Sequence, residues 1–309
     1  MNAIAIRGVT KTFGDHVAVD DLSLEVPRNV IYGFIGPNGS GKSTTLRMIT
    51  NILLPDRGSI EVLGHAETSA ARDRVAYLPE ERGLYKKMPV RRLLRYYGML
   101  KSKPRGEIDR EIDRWLARLD LTSWADKKID ALSKGMAQKV QFIAAVVARP
   151  ELLILDEPFS GLDPVNATAL REAVVELKAQ GTTIVFSTHD MATAEKMCDR
   201  IFMIYRGKKV LDGTLAEIQE QYGSRRVRVR SAGGAAALAG LPGVGRVDDL
   251  GAQQEFELEG GDAQDVLRGL VARTSVSYFE LARPSLQDIF VKIAKPLPEH
   301  VAAAGGSHA

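Results

Sequence analysis

Apolar and polar positions along the 309-residue chain fall into three successive regimes. Short apolar, β-branched runs at 3–6, 22–26, 30–35, 60–63 and 75–78 predict an opening set of strands. Between the third and fourth, residues 44–51 place apolar side chains at helical spacing. From about 90 to 147 the period lengthens, with helical patterns over 91–100 and 107–119, which predicts a helix-rich insert. Continuous apolar runs then return at 152–155 and 183–186, as expected of parallel strands covered on both faces. The helical stretch 164–179 between them completes a crossover unit, and strands at 201–205 and 209–211 close this region.

Past Tyr222-Gly223-Ser224 the pattern changes to the alternation Arg226-Val227-Arg228-Val229-Arg230 and then to Ala/Gly-rich turns. The reading there is strand 225–231, helix 233–240, strands near 244–249 and 253–258, helix 263–272, strand 275–281 and a last helix 285–293. That βαββαβ order with one added helix predicts a small ferredoxin-like α+β domain. The expected organisation is an α/β domain over 1–222 with a helical subdomain at about 86–147, then an accessory domain over 223–295. From 296 to 309, Pro, Ala, Gly, Ser and His predict a disordered tail. No internal repeat is found.

Composition narrows the class. With 45% hydrophobic and 26% charged residues the chain is expected to be globular and ordered. Its longest apolar stretch, 142–148, is far too short to span a bilayer, and no positive-then-apolar leader opens the sequence. A single cysteine, Cys198, excludes an intrachain disulfide and agrees with a reducing, cytoplasmic setting; a packed small side chain is its expected role. The net charge of +3 implies no general polyanion-binding surface. Between Arg82 and Lys139 bases outnumber acids, a face suited to an anionic lipid leaflet or an acidic partner, or simply to solvent.

The chemistry concentrates in four segments. Gly36-Pro37-Asn38-Gly39-Ser40-Gly41-Lys42-Ser43-Thr44 matches G-x-x-x-x-G-K-[ST] between a predicted strand and a predicted helix, the cradle for a nucleoside triphosphate. Its glycines permit backbone angles and close approach that a Cβ obstructs, so successive N–H groups turn onto phosphate oxygens. The helix N-terminus adds partial positive charge, Lys42 reaches the β- and γ-phosphates, and the Ser43 hydroxyl is the expected ligand for Mg²⁺. Asp156-Glu157 ends a buried strand in two carboxylates, the first expected to support Mg²⁺ and the second to orient and deprotonate the attacking water. His189 follows another buried strand and would reach the same crevice. Ser133 is placed to cap a helix running through 137–147, leaving an anion-attracting N-terminus beside Gly135.

In that order, the phosphate loop, the Ser133-Gly135 segment, Asp156-Glu157, Ser160-Gly161-Leu162-Asp163 and His189 resemble the nucleotide-binding subunits of ATP-binding-cassette (ABC) transporters over about residues 1–220. The resemblance implies a P-loop ATPase fold with a mostly parallel core sheet, an antiparallel β subdomain and a helical insert. It makes Phe13 the aromatic that stacks on adenine, 132–136 the signature that closes on ATP held by a second subunit, 160–163 the loop crossing a dimer interface, and His189 the switch histidine. Two ATP molecules would lie sandwiched in a homodimer. Two departures are visible: Lys134 and Met136 stand where the family usually has glycine and glutamine, and Glu80 stands where it has the glutamine that senses Mg²⁺. As a hard, charged oxygen ligand Glu80 is a candidate metal contact; a surface acid is the other reading.

The segment Glu80-Glu81-Arg82-Gly83-Leu84-Tyr85 and the later Pro284-Ser285-Leu286-Gln287-Asp288-Ile289-Phe290 resemble a subgroup found in export systems for sodium, drugs or antibiotics. The resemblance therefore implies an ATPase that powers separate membrane-spanning permease subunits from the inner face of the membrane, with no nucleic acid partner. The alternative is a non-transport ABC ATPase acting on nucleic acid or ribosomes, although the tandem cassettes or long coiled-coil inserts common there are missing. A guanine-reading Asn-Lys-x-Asp segment is also missing, which argues against a GTPase.

Overall fold

The computed structural model describes residues 2–294 apart from Arg82, Ser224 and Arg225. The tail expected to be disordered, 296–309, lies outside the described residues, as do Arg82 of the Glu80–Tyr85 segment and the first position of the strand predicted at 225–231. The chain divides into two compact units that meet at Leu215 and Ala216.

The first unit begins with β1 (Asn2–Phe13), β2 (His16–Pro27), β3 (Ile31–Ile35), α1 (Lys42–Ile49), β4 (Arg57–Val62) and β5 (Val75–Leu78). The helical insert contributes α2 (Val90–Met99), α3 (Arg105–Arg118) and α4 (Lys134–Val146), after which come β6 (Leu152–Asp156), α5 (Pro164–Ala179), β7 (Thr183–Thr188), α6 (Met191–Met197), β8 (Arg200–Tyr205) and β9 (Lys208–Gly213). Strands β1, β2 and β4 form an antiparallel sheet in the order β2-β1-β4, and the remaining six form a second sheet, β5-β6-β7-β3-β8-β9. The second sheet is parallel except where β9 returns along β8.

Every residue of β3, β6 and β7 is buried, which is why these strands read as unbroken apolar runs. The insert packs its own apolar faces together: Trp115 of α3 meets Phe142 of α4 edge-on at 5.8 Å. Burying such a ring stabilises the fold by about 2 to 3 kcal/mol. Gly98 of α2 lets α3 approach closely, since a Cβ there would lie 2.7 Å from the Ile108 side chain. The basic stretch of the insert is extensively paired: Arg91 with Asp113, Arg95 with Asp109, Lys87 with Asp130, and Lys139 with the Leu119 carbonyl. Arg118 joins α3 to Glu172 and Glu176 of α5.

The two opening strands run 12 residues each, well beyond the predicted 3–6 and 22–26. Their register shifts between Ile6 and Val9 and again near Lys11, so the apolar alternation breaks although pairing continues. Helix α6 is too short for its period to stand out in sequence.

The second unit contains β10 (Arg226–Ser231), α8 (Gly234–Leu238), β11 (Val244–Asp249), β12 (Gln254–Leu258), α9 (Ala263–Val271), β13 (Val276–Ala282) and α10 (Leu286–Ala294); helix α7 (Leu215–Gln221) lies at the junction between the units. Its antiparallel sheet has the order β11-β12-β10-β13, the ferredoxin-like arrangement. One sheet face buries Val227, Val229, Phe256 and Leu258 with Leu238, Val266 and Leu270 of α8 and α9. On the opposite face Arg226 and Arg228 pair with Asp248, Glu255 and Glu280.

Candidate functional site

Parallel pairing brings the C-terminal ends of β5, β6, β7 and β3 to one edge of the second sheet, with Ile35 opposite Thr188 and Asp156 opposite Ser187. That edge is the usual ligand side of an open α/β sheet. The loop leaving β3 turns through Gly36, Gly39 and Gly41, all at positive φ. At Gly36 a Cβ would lie 2.3 Å from the Ile204 carbonyl, and at Gly41 2.5 Å from that of Ala18, so both positions admit only hydrogen. Gly39 faces open space. Ser40 is buried, its hydroxyl without a hydrogen-bond partner.

Helix α1 begins at Lys42, a residue only 6% exposed, whose ammonium donates to the Gly36 and Pro37 carbonyls at 2.8 and 3.0 Å. Burial lowers the Lys42 pKa, and the carboxylates of Glu157, Asp156 and Glu80 act in the opposite sense. Three acids therefore surround one buried cation. A cleft of about 340 Å³ opens over this group, lined by Phe13, His16, Lys42, Ser43, Glu80 and Glu157. Asn38, Gly39, Gly41, Thr44 and Ala18 complete its wall. Phe13, at the end of β1, is half exposed, with the Lys11 ammonium 5.6 Å from its ring centre.

Asp156 is held from three sides. Ser43 donates to it at 3.2 Å, Tyr77 of β5 at 3.3 Å, and Ser187 of β7 through a short hydrogen bond. Burial and the Asp156 charge push the Tyr77 phenol up to about 12. Glu157 adopts a left-handed backbone, φ 48°, and its N–H donates to the Ser187 hydroxyl. Its carboxylate, nearly buried, meets His189 Nδ1 at 2.9 Å.

A different set of residues gathers elsewhere. Ser133 caps α4, its hydroxyl accepting from the Met136 N–H. Asp163 caps α5 by accepting from the Val165 and Asn166 N–H groups and from the Asn166 amide. Hydrogen bonds from Asn166, backbone first and then side chain, hold the Asp163 carboxyl below the usual carboxylate range. Gly135 stands against that same Asn166, where a Cβ would come within 2.7 Å of the amide nitrogen. Ser133, Gly135 and Asp163 are not among the residues lining the cleft.

A family described as "ABC transporter" matches residues 19–160, and one described as "ATP-binding protein DrrA1-3-like, C-terminal domain" matches 213–294. The chain is 42% identical over 290 residues to the uncharacterized ABC transporter ATP-binding protein YhaQ of Bacillus subtilis (strain 168), covering 94% of this chain and 97% of that one. The chain belongs to the ABC transporter ATP-binding proteins.

Other ABC relatives agree. The Nod factor export ATP-binding protein I of Rhizobium sp. (strain N33) is 35% identical over 301 residues, with 94% and 96% of the two chains covered. A solved ATP-binding subunit of an ABC transporter superposes with a TM-score of 0.68 at 33% identity, covering 72% of this chain and 93% of its own. As a member of the family this ABC protein binds ATP and is an ATPase whose turnover drives transport.

The donor chemistry of the cleft suits Mg²⁺. Asp156 and the Ser43 hydroxyl are hard oxygen ligands, and the acids around Lys42 leave negative charge that a divalent cation offsets. Among the described residues no group of three or more His, Cys, Asp or Glu could hold a metal by itself.

Sequence reasoning assigned no role to His16 and Ala18 in the cleft wall, to Tyr77 and Ser187 as supports of Asp156, or to Asn166 as the link between Gly135 and Asp163. A readable signal existed for two of them. Tyr77 and Ser187 are polar residues at the C-terminal ends of buried parallel strands, where ligands gather.

Proposed function

We propose that this protein is the ATP-hydrolysing subunit of an exporter, working as a homodimer beneath separate membrane-spanning subunits. The observation that supports the homodimer is the separation just described: one protomer offers a phosphate cradle with its carboxylates, while its Ser133 cap and the Gly135-Asn166-Asp163 cluster lie outside the cleft. Val165, in the first turn of α5, is 79% exposed, an apolar side chain suited to cover by a second copy. Export follows from the relatives named above, one of which carries that word in its own name.

In the assembled site Lys42 would leave the carbonyls of Gly36 and Pro37 for the β- and γ-phosphates, with the loop N–H groups on the same oxygens. Phe13 would stack on adenine. Ser43 and Asp156 would hold Mg²⁺, with Glu80 at the cleft wall as a further oxygen ligand. The ion, when bound, offsets charge that develops on the transferring phosphoryl group. Glu157 accepts the proton of the attacking water, and its contact with His189 fixes the carboxylate in place. Ser133 and Gly135 of the second protomer would bring the α4 N-terminus onto the γ-phosphate, with its Asp163 loop across the interface. Closure then follows because ATP touches both protomers only in the closed form.

Glu157→Gln tests this directly. It is expected to retain ATP, lose hydrolysis by about a thousandfold, and sediment as a dimer when ATP and Mg²⁺ are present. Undiminished turnover would remove Glu157 from its role, and monomers at saturating ATP would sink the shared site.

A further inference from the structure

Strand β1 delivers Phe13 to the cleft from beyond the end of its own sheet. Its pairing with β4 stops at Thr10, opposite Arg57, while its pairing with β2 runs on through Lys11 opposite Val19, Thr12 opposite Val17 and Phe13 opposite His16. Phe13 therefore stands at a hairpin tip, just before the turn at Gly14 and Asp15, where β4 no longer supports the strand. Such a tip has backbone groups left to satisfy and freedom to lose before its ring can meet a ligand.

Asp56, the residue before β4, supplies what that strand does not. Its own N–H donates to the Thr10 carbonyl at 2.9 Å. One of its carboxylate oxygens accepts from the Thr12 N–H at 2.7 Å and from the Thr12 hydroxyl at 2.8 Å, and the other accepts from the Lys11 ammonium at 2.8 Å. That ammonium is the one lying 5.6 Å from the centre of the Phe13 ring. A single carboxylate thus fixes both the backbone next to Phe13 and the cation beside its ring. The hydrogen bond from Lys11, followed by those from Thr12, holds the Asp56 carboxyl down to about 2, so the group is ionised at neutral pH. An exposed ion pair contributes little to stability, yet here it converges with two further bonds on the one residue that precedes the aromatic.

We propose that Asp56 is a positioning residue for the adenine base: it clamps the hairpin tip so that the Phe13 ring is presented to the cleft in one orientation. The proposal rests on the reading of Phe13 as the stacking aromatic. A ring that is oriented beforehand loses less freedom on binding, so the gain is in affinity for the base and not in hydrolysis. The phosphate loop, between β3 and α1, belongs to other elements and does not depend on this clamp.

Dissociation constants for ATP and for inorganic triphosphate, measured on the full chain without metal, separate the base from the phosphates. Asp56→Ala is expected to weaken ATP about tenfold while inorganic triphosphate changes less than about twofold, and to raise KM for ATP with kcat unchanged. Asp56→Asn keeps an oxygen for Thr12 but turns an amide toward Lys11, and its ATP affinity should fall between that of the native chain and that of Asp56→Ala. Phe13→Ala is expected to weaken ATP alone, by about thirtyfold, and adding Asp56→Ala to it should cost nothing further, because Asp56 acts through the ring. Equal losses for ATP and inorganic triphosphate, or full addition of the two effects in the double variant, would overturn the proposal. Unchanged ATP affinity in Asp56→Ala would do the same and, where Phe13→Ala still loses ATP, would leave the ring as the stacking group without its clamp. Unchanged ATP affinity in Phe13→Ala would remove the reading of Phe13 itself, and the role of Asp56 with it.

Discussion

The phosphate-loop side and the Ser133 side of this protein differ in how finished they are. Around Lys42 the groups are buried and mutually braced: Lys42, Asp156 and Glu157 are each less than a tenth exposed, and Asp156 is held from three sides. Around Ser133 and Asp163 the caps are satisfied locally and sit at the surface, with exposed Val165 beside them. One side is an electrostatic site already organised within a protomer, since buried charge keeps its geometry only when its partners are fixed. The other, in the dimer proposed above, is a docking face, its caps satisfied within one protomer before anything is brought to it.

The sharpest way to break that contrast is to disable each side separately. Lys42→Ala is expected to lower kcat/KM for ATP by about a thousandfold or more, because it removes the buried cation from among three carboxylates. Ser133→Arg is expected to lower turnover by about a hundredfold while leaving nucleotide binding to the isolated protomer intact. Mixing the two inactive variants should restore activity, because the mixed dimer has one site with both sides intact. A mixture as dead as its components would mean that each protomer uses its own Ser133. The contrast can then be sharpened within the braced side: Tyr77→Phe and Ser187→Ala each loosen Asp156 and should raise the Mg²⁺ concentration for half-maximal activity about tenfold, with little change in nucleotide binding measured without metal.

The smallest expected effect lies on the docking face. Asn166→Ala keeps the backbone N–H that does most to hold the Asp163 carboxyl down and removes the side-chain amide that adds to it. A depressed carboxyl stabilises the fold above the ordinary carboxylate range, and that contribution is lost as pH falls through its folded value. The variant should titrate Asp163 at higher pH, followed through its carboxyl NMR signal, and change turnover only a few-fold. An unmoved titration would show that the Asn166 amide side chain adds nothing to the backbone cap.

How far these features were legible depends on what wrote them into the sequence. Burial on both faces leaves an unbroken apolar run, so β3, β6 and β7 were readable, and with them the positions of Gly36, Asp156 and His189. The phosphate loop was readable because Gly36 and Gly41 face backbone carbonyls that exclude any side chain. Strands β1 and β2 were recognised only in part because shifts of register hide their alternation. Asn166 was unreadable for a different reason: its contact with Gly135 joins two segments 31 positions apart, and nothing local marks it. The bracing of Asp156 by Tyr77 and Ser187 likewise depends on strand order, which no single segment encodes.

Strand order has one more effect. The strand that presents the phosphate loop, β3, is complete by residue 35, yet its only neighbours in the sheet are β7 and β8, ending at Thr188 and Tyr205. On the ribosome the loop is therefore translated early and supported late, because the strands that hold it must travel back across about half of the polypeptide. A chain released before residue 200 carries the whole nucleotide motif and none of the scaffold on one of its sides. Truncated messages would thus yield an inert product instead of a half-working motor.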